Sequence, residues 1–330
     1  MAPLCHKLRQ QSDIEAIVCV TAQHREMLDQ VLNSFELNPD IDLNIMKKGQ
    51  DLFDVTSNIL LAMRDTLAQE KPDLVLVHGD TTTTFATSLA CFYLGIKVGH
   101  VEAGLRTHDI LAPFPEEYNR RTTGVIADYH FAPTTLSQQN LLAEGVNPKD
   151  IIITGNTVID ALHLVLGQID ADINRSINIT RRLNESLNFD WKITRFVLIT
   201  GHRRENFGQG FLDICHAIKE LATRNQDTQF VYPVHLNPHV KKPVNEVLLG
   251  LKNVWLIEPL DYEDFVYLLN HSYVVLTDSG GIQEEAPSLG KPVLVMRDVT
   301  ERPEAVDAGT VRLVGTSKDN IISKPFLTSS

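Results

Sequence analysis

A chain of 330 residues, 43% hydrophobic and 22% charged, is long enough for about two globular domains. Its formal net charge of −12 argues against a nucleic-acid or anionic-membrane partner. An anionic ligand would have to be met by locally gathered arginine, histidine and backbone amides. Cys5, Cys19, Cys91 and Cys215 are scattered without a C-x-x-C pair, as expected for reduced thiols of a cytoplasmic protein. No apolar run approaches about 18 residues, and Met1 to Lys7 lacks the pattern of a signal peptide, so no membrane span or leader is expected.

Taken in chain order, a helix-like segment from Ala2 to Arg9 comes first, then a β-branched run, Ala16–Val20. Leu74–Val77 is the next strand, and Thr81–Thr84 caps a helix running toward Gly95. Val98–Val101, Tyr129–Ala132 and Ile151–Thr154 complete the first half. Residues 161–194 are polar and poorly periodic, and the domain boundary is expected there, giving domains 1–165 and 166–330. In the second half Phe196–Thr200, Phe230–Pro233, Val254–Ile257, Tyr273–Thr277, Val293–Met296 and Val311–Val314 read as strands. Phe211 to Thr223 and Tyr262 to Asn270 carry apolar residues three and four apart, the helix period. Strand and helix alternate every 25 to 35 residues or so, the beat of βαβ units. The expected fold is α/β: two Rossmann-like domains with an interdomain cleft, each offering ligand groups at the carboxyl ends of its strands. A doubly wound domain normally opens on a strand that becomes central. Here a helix comes first, so that strand and its turn are expected to be absent, and 321–330 does not complete a helix.

Polar clusters follow several of these strands. His78-Gly79-Asp80 ends one, where Asp80 is either a helix cap or a functional carboxylate. His100 to Arg106 ends the next, with Glu102 free to act or to pair with Arg106. Pro113 to Arg120 places Glu116 and Glu117 in a first helical turn, where acids also serve the helix dipole. Gly201-His202-Arg203-Arg204 suits a diphosphate. His235 closes another strand and is as readily structural as functional. The Thr277–Ala286 stretch is the most telling. An apolar strand runs into Asp278-Ser279-Gly280-Gly281, and a helix follows whose positive end and small glycines make an anion site. Glu285, one turn further, can accept hydrogen bonds from sugar hydroxyls. There is no metal-ligand spacing, no G-x-G-x-x-G after a strand and no Walker A lysine, so neither metal nor nicotinamide cofactor is expected.

Together the segments Thr21–Met27, His78–Thr83, His100–Thr107, Pro115–Arg120, Thr154–Thr157, Gly201–Glu205 and Ser279–Glu285 resemble the bacterial non-hydrolysing UDP-N-acetylglucosamine 2-epimerases, from Met1 to about Thr316. The resemblance implies a glycosyltransferase-B-like pair of domains, a homodimer, no cofactor, and interconversion of UDP-GlcNAc and UDP-ManNAc for cell-surface polysaccharide. UDP is eliminated to give 2-acetamidoglucal and then added back. It further implies Asp80, Glu102 and Glu116 as acid/base groups, with His202 and the Ser279, Gly280 and Gly281 amides on the diphosphate. Glu285 would take the ribose, Phe265 and the Leu260 backbone the uracil, and Arg302 the sugar or phosphate. A second UDP-GlcNAc would act as allosteric activator near Gln23, Gln50 and His235. The family's opening strand with its Gly-Thr-Arg-Pro-Glu turn, a lysine after it, and a C-terminal tail are not matched, so lower activity and stability than a relative carrying them are expected. A glycosyltransferase of the same architecture, or a protein that binds UDP-sugar without turning it over, are the competing readings.

Overall fold

The computed structural model describes every residue except Gln23, His24, Met46, Lys48, Arg204, Glu205, Glu301 and 324–330; for Glu26 and Met27 only the backbone is described. The chain divides into two compact units, Met1–Ala161 and Leu162–Ser330.

In the first unit, strands β1 (Cys19–Val20) and β2 (Ile41–Asp42) form a parallel pair. Strands β3 (Leu74–His78), β4 (Lys97–Val101), β5 (Tyr129–Ala132) and β6 (Ile151–Ile153) form a parallel sheet in that order. Among the described residues these two sheets are not hydrogen-bonded to each other, yet Cys19, Leu43 and Ile45 share one apolar core with Val77 and Val98. The helix Thr82–Leu94 packs over β3 and β4. The Thr81 hydroxyl accepts from the Thr84 amide at its start, and Gly95 ends it in the left-handed conformation, φ +69°, that glycine adopts without strain.

In the second unit, β7 (Phe196–Thr200), β8 (Gln229–Pro233), β9 (Val254–Ile257), β10 (Val274–Thr277), β11 (Val293–Val295) and β12 (Val311–Leu313) form a six-stranded parallel sheet. Its order is β12-β11-β10-β7-β8-β9. Phe196 to Ile199 and Val274 to Leu276 are buried throughout, as strands covered on both faces must be, which explains their unbroken apolar runs. The helices Gln209–Arg224 and Pro238–Leu248 cover one face through Phe211, Ile218, Val240 and Val244. The strand order turns outward in both directions from the β7–β10 pair. That pair therefore makes the switch point at which parallel sheets open a crevice.

Two expectations change. Ile41–Asp42 is a strand that two residues are too short to announce. The stretch 161–194, expected to be polar and poorly periodic, is largely helical, Thr157–Ala171 followed by Ile173–Ser186. Leu162, Val165, Leu166 and Ile169 form the buried stripe of the first; the second buries only Ile179 and Leu183, so most of its surface is polar. Its start is fixed by Asp172, whose carboxylate accepts the Asn174 and Arg175 amides. Arg175–Glu263 (2.7 Å) and Arg182–Asp264 (2.5 Å) dock it on the helix Tyr262–His271. Among the described residues no helix is long and apolar enough to cross a membrane.

If that stripe seats the Ile173–Ser186 helix, Leu183→Ala costs about 2–5 kcal/mol in urea denaturation. Ile177→Ala, on the face that is 57% exposed at that residue, stays within about 0.5 kcal/mol. Equal losses would contradict this placement.

Candidate active site

At the carboxyl end of β3 the chain turns through Gly79, φ +69°, whose amide donates to the Val101 carbonyl (3.0 Å). On the adjacent strand Glu102 also adopts a left-handed φ, +66°, which a non-glycine residue holds only when its surroundings impose it. A Cβ on Gly79 would lie 3.2 Å from Glu102 Oε2, so a side chain there would crowd the carboxylate. His78 Nε2 stands 4.0 Å from Glu102 Oε2, and Asn156 Nδ2 donates to Glu102 Oε1 (3.1 Å). Burial pushes His78 down to about 4, so its ring is neutral at pH 7. Asp80 lies one residue beyond Gly79. Its Oδ2 accepts from Arg120 Nη2 (2.6 Å) and its backbone carbonyl from Asn119 Nδ2 (2.9 Å). Both donors come from the first turns of the helix Glu116–Ile126, which also carries the half-buried Glu116. Asp80, Glu102 and Glu116 thus stand on three segments that strand register and this helix hold together.

In the second unit the loops after β7 and β10 meet over Asp278, a fully buried carboxylate. Asp278 accepts the backbone amides of His202 (3.0 Å) and Arg203 (2.9 Å) and the Asn206 side-chain amide (3.2 Å). Beneath it the Thr200 and Thr277 hydroxyls are 2.5 Å apart, and the Tyr232 hydroxyl donates to the Gly201 carbonyl (2.8 Å). The His202 backbone is therefore fixed while its ring, 49% exposed, faces outward and stacks on His235 at 5.3 Å. Glu285 lies near Tyr262. Burial and the neighbouring Glu284, partly offset by Arg302, raise Glu285 to about 7.

Several expected contacts are revised. The Ser279 amide donates to Thr277 Oγ1 (2.9 Å), a bond that a diphosphate would have to share or replace. Gly280 and Gly281 are the amides of the turn without an acceptor among the described residues. Neither glycine has a positive φ; Gly281 sits at φ −61°. A Cβ on Gly281 would meet nothing within 4 Å, so the space beside this turn is open. The Arg302 guanidinium is engaged by Glu284, one residue before Glu285. Gln50 spends its side-chain amide on its own loop, accepting from Lys47 N and donating to the Ile45 carbonyl. Gln23 lies outside the described residues. Phe265 and Leu260 are both half-buried, in and just before the helix Tyr262–His271.

A family model for UDP-N-acetylglucosamine 2-epimerase matches residues 6–327. The chain is 60% identical to the UDP-N-acetylglucosamine 2-epimerase of Escherichia coli (strain K12), over 98% of this chain and 85% of that protein. To the enzyme of the same name from Campylobacter jejuni it is 56% identical, over 98% and 84%. It superposes on the crystal structure of UDP-GlcNAc 2-epimerase from Neisseria meningitidis bound to UDP-GlcNAc with a TM-score of 0.90, at 54% identity, covering 98% of this chain and 86% of that one. The chain belongs to the UDP-N-acetylglucosamine 2-epimerase family. Its fold class is that of the family, α/β with two Rossmann-like units of the glycosyltransferase-B kind. A trehalose-phosphate synthase from Burkholderia xenovorans, 10% identical at a TM-score of 0.51, shares the fold alone.

The residues that hold the candidate site groups, Asp278, Asn206, Asn156, Asn119 and Arg120, were not among those expected from the sequence. Only Asp278 carried a signal, a lone carboxylate closing the strand run Tyr273–Thr277. An asparagine at 278 would turn an NH2 or a neutral oxygen toward three donors. Asp278→Asn therefore lowers stability by about 1–3 kcal/mol in urea denaturation. An unchanged midpoint and slope would show that the buried carboxylate does not organise the turn.

Proposed function

We propose that this chain, an isomerase by family, interconverts UDP-N-acetylglucosamine and its C2 epimer UDP-N-acetylmannosamine by eliminating and re-adding UDP. C2 is not adjacent to a carbonyl, so its proton is not acidic enough for direct exchange. In the elimination a carboxylate takes the C2 proton, the C1–O bond to the diphosphate breaks, and UDP leaves behind 2-acetamidoglucal. Protonation of C2 on the other face and attack of the diphosphate oxygen on C1 then give the epimer. The observation that carries this reading is the convergence of Asp80, Glu102 and neutral His78 at neighbouring strand ends, in a chain 60% identical to a named epimerase. Elimination needs a base near C2 and donors for the departing diphosphate. Asp80, Glu102 and Glu116 supply the first. His202 with the Gly280 and Gly281 amides supply the second, Glu285 takes the ribose hydroxyls, and Phe265 with Leu260 the uracil. Arg302 reaches the sugar or phosphate once it leaves Glu284.

The protein acts in the cytoplasm as a homodimer and provides an N-acetylmannosamine donor for cell-surface polymer. Exposed Phe53, Leu61, Phe92, Tyr93 and Val125 on neighbouring helices of the first unit support self-association. A second UDP-GlcNAc regulates turnover, and the stacking of His235 on His202 supports His235 as one of its contacts.

Proton NMR of UDP-GlcNAc in deuterated water, with no acceptor present, should show deuterium entering C2. Binding without exchange would leave a UDP-sugar-binding protein, and UDP release only with an added acceptor would mark a transferase. The raised Glu285 sets the pH response. Its folded value of about 7 lies above the ordinary value of 4.5, so the ionised form that accepts two hydroxyls is lost as pH falls below 7. The diphosphate diester of UDP-GlcNAc does not titrate there. The ratio of wild-type to Glu285→Gln affinity for UDP-GlcNAc, by calorimetry, should therefore rise about tenfold from pH 6 to pH 8. A flat ratio contradicts the role. The same shift makes wild-type stability relative to Glu285→Gln fall as pH rises from about 4.5 toward 7, since the folded state holds the proton more tightly.

A further inference from the structure

The first turn of the helix Glu116–Ile126 is built around charges that the reaction itself does not require. Glu117 is fully buried, and its carboxylate accepts the backbone amides of Thr107 (3.1 Å) and His108 (3.3 Å), in the segment that follows Glu102. Arg120, one turn on, is buried as well. Its Nη1 lies 3.3 Å from Glu117 Oε2, a charge contact without hydrogen-bond alignment, while its Nη2 donates to Asp80 Oδ2 at 2.6 Å. Asn119 fixes the Asp80 carbonyl from the same turn. Phe85 meets Tyr118 edge-on at 5.7 Å, seating this helix against the one that starts just after Asp80.

A guanidinium buried to this degree is costly unless its charge is compensated, so a group kept there has a defined task. The continuous run from the Thr107 and His108 amides through Glu117 and Arg120 to Asp80 sets the carboxylate after β3 relative to the loop after β4. We infer that Arg120, backed by Glu117, is the positioning residue of Asp80: it occupies Oδ2 and so turns Oδ1 toward the sugar carbon. This rests on the epimerase reading given above. Arg120 does not touch the substrate in this assignment; it acts through Asp80. A carboxylate released from such a tie loses the alignment that proton transfer requires, and a misplacement of about 1 Å costs on the order of 100-fold in rate.

The test compares wild type, Arg120→Gln, Arg120→Lys and the double variant Glu117→Gln/Arg120→Gln, which removes both buried charges and so avoids leaving one unpaired. For each, the melting temperature, UDP-GlcNAc affinity by calorimetry, and kcat and KM for C2 epimerisation are measured. Expected are a kcat about 100-fold lower in Arg120→Gln and in the double variant, a KM within about threefold, and recovery of about tenfold in Arg120→Lys, whose ammonium can still reach one oxygen. A variant that melts with wild type, binds UDP-GlcNAc and retains kcat within threefold overturns the inference, as does a loss confined to KM. Wild type that fails to exchange C2 deuterium would sink the epimerase reading instead, so the two failures are distinguishable.

Discussion

The second unit depends on one buried charge. Asp278 is fully buried and accepts two backbone amides and an asparagine side-chain amide, all drawn from the loop after β7. An ionised acceptor takes such bonds more strongly than a neutral one, and leaving it unsatisfied in an apolar sheet end would be costly. The carboxylate therefore closes the loop after β7 onto the strand end of β10 at the switch point of the sheet. His202, Gly280 and Gly281 are presented from that closed edge. Their useful geometry follows from a residue that never needs to meet a ligand.

The first unit solves the same problem with a helix. Its candidate carboxylates Asp80 and Glu102 follow adjacent strand ends, where parallel register already brings their segments close. Register alone does not set side-chain direction. Asn156 holds Glu102, and Asn119 with Arg120 hold Asp80, so each carboxylate is oriented by a neighbour from a different segment. The left-handed backbone at Glu102 is the local strain accepted in exchange.

Much of the scaffold could be read from the chain because its signals are local. Tyr129–Ala132, Phe196–Thr200 and Val254–Ile257 are strands at the predicted bounds, as short runs rich in aromatic or β-branched residues should be. Thr81 and Gly95 bracket their helix because capping chemistry is written in single residues. The helix Ile173–Ser186 carries a helical apolar period through Ile179 and Leu183, but its polar, asparagine- and arginine-rich composition masked that signal. Positions in the candidate site were legible where a motif resembled a known family. Allegiances within it were not. That Arg302 turns to Glu284 and that Arg120 reaches forty residues back to Asp80 are outcomes of tertiary packing, and no spacing along the chain encodes them.

Both units thus place their candidate site groups at strand ends and fix them with polar residues from elsewhere. The central claim is that the β7–β10 edge of the second unit holds the nucleotide. The most direct measurement is a crystal structure of this chain with UDP bound. The account predicts diphosphate oxygens within hydrogen-bond distance of the Gly280 and Gly281 amides and the His202 ring, with both ribose hydroxyls on Glu285. UDP seated elsewhere, with those amides facing solvent, would contradict it.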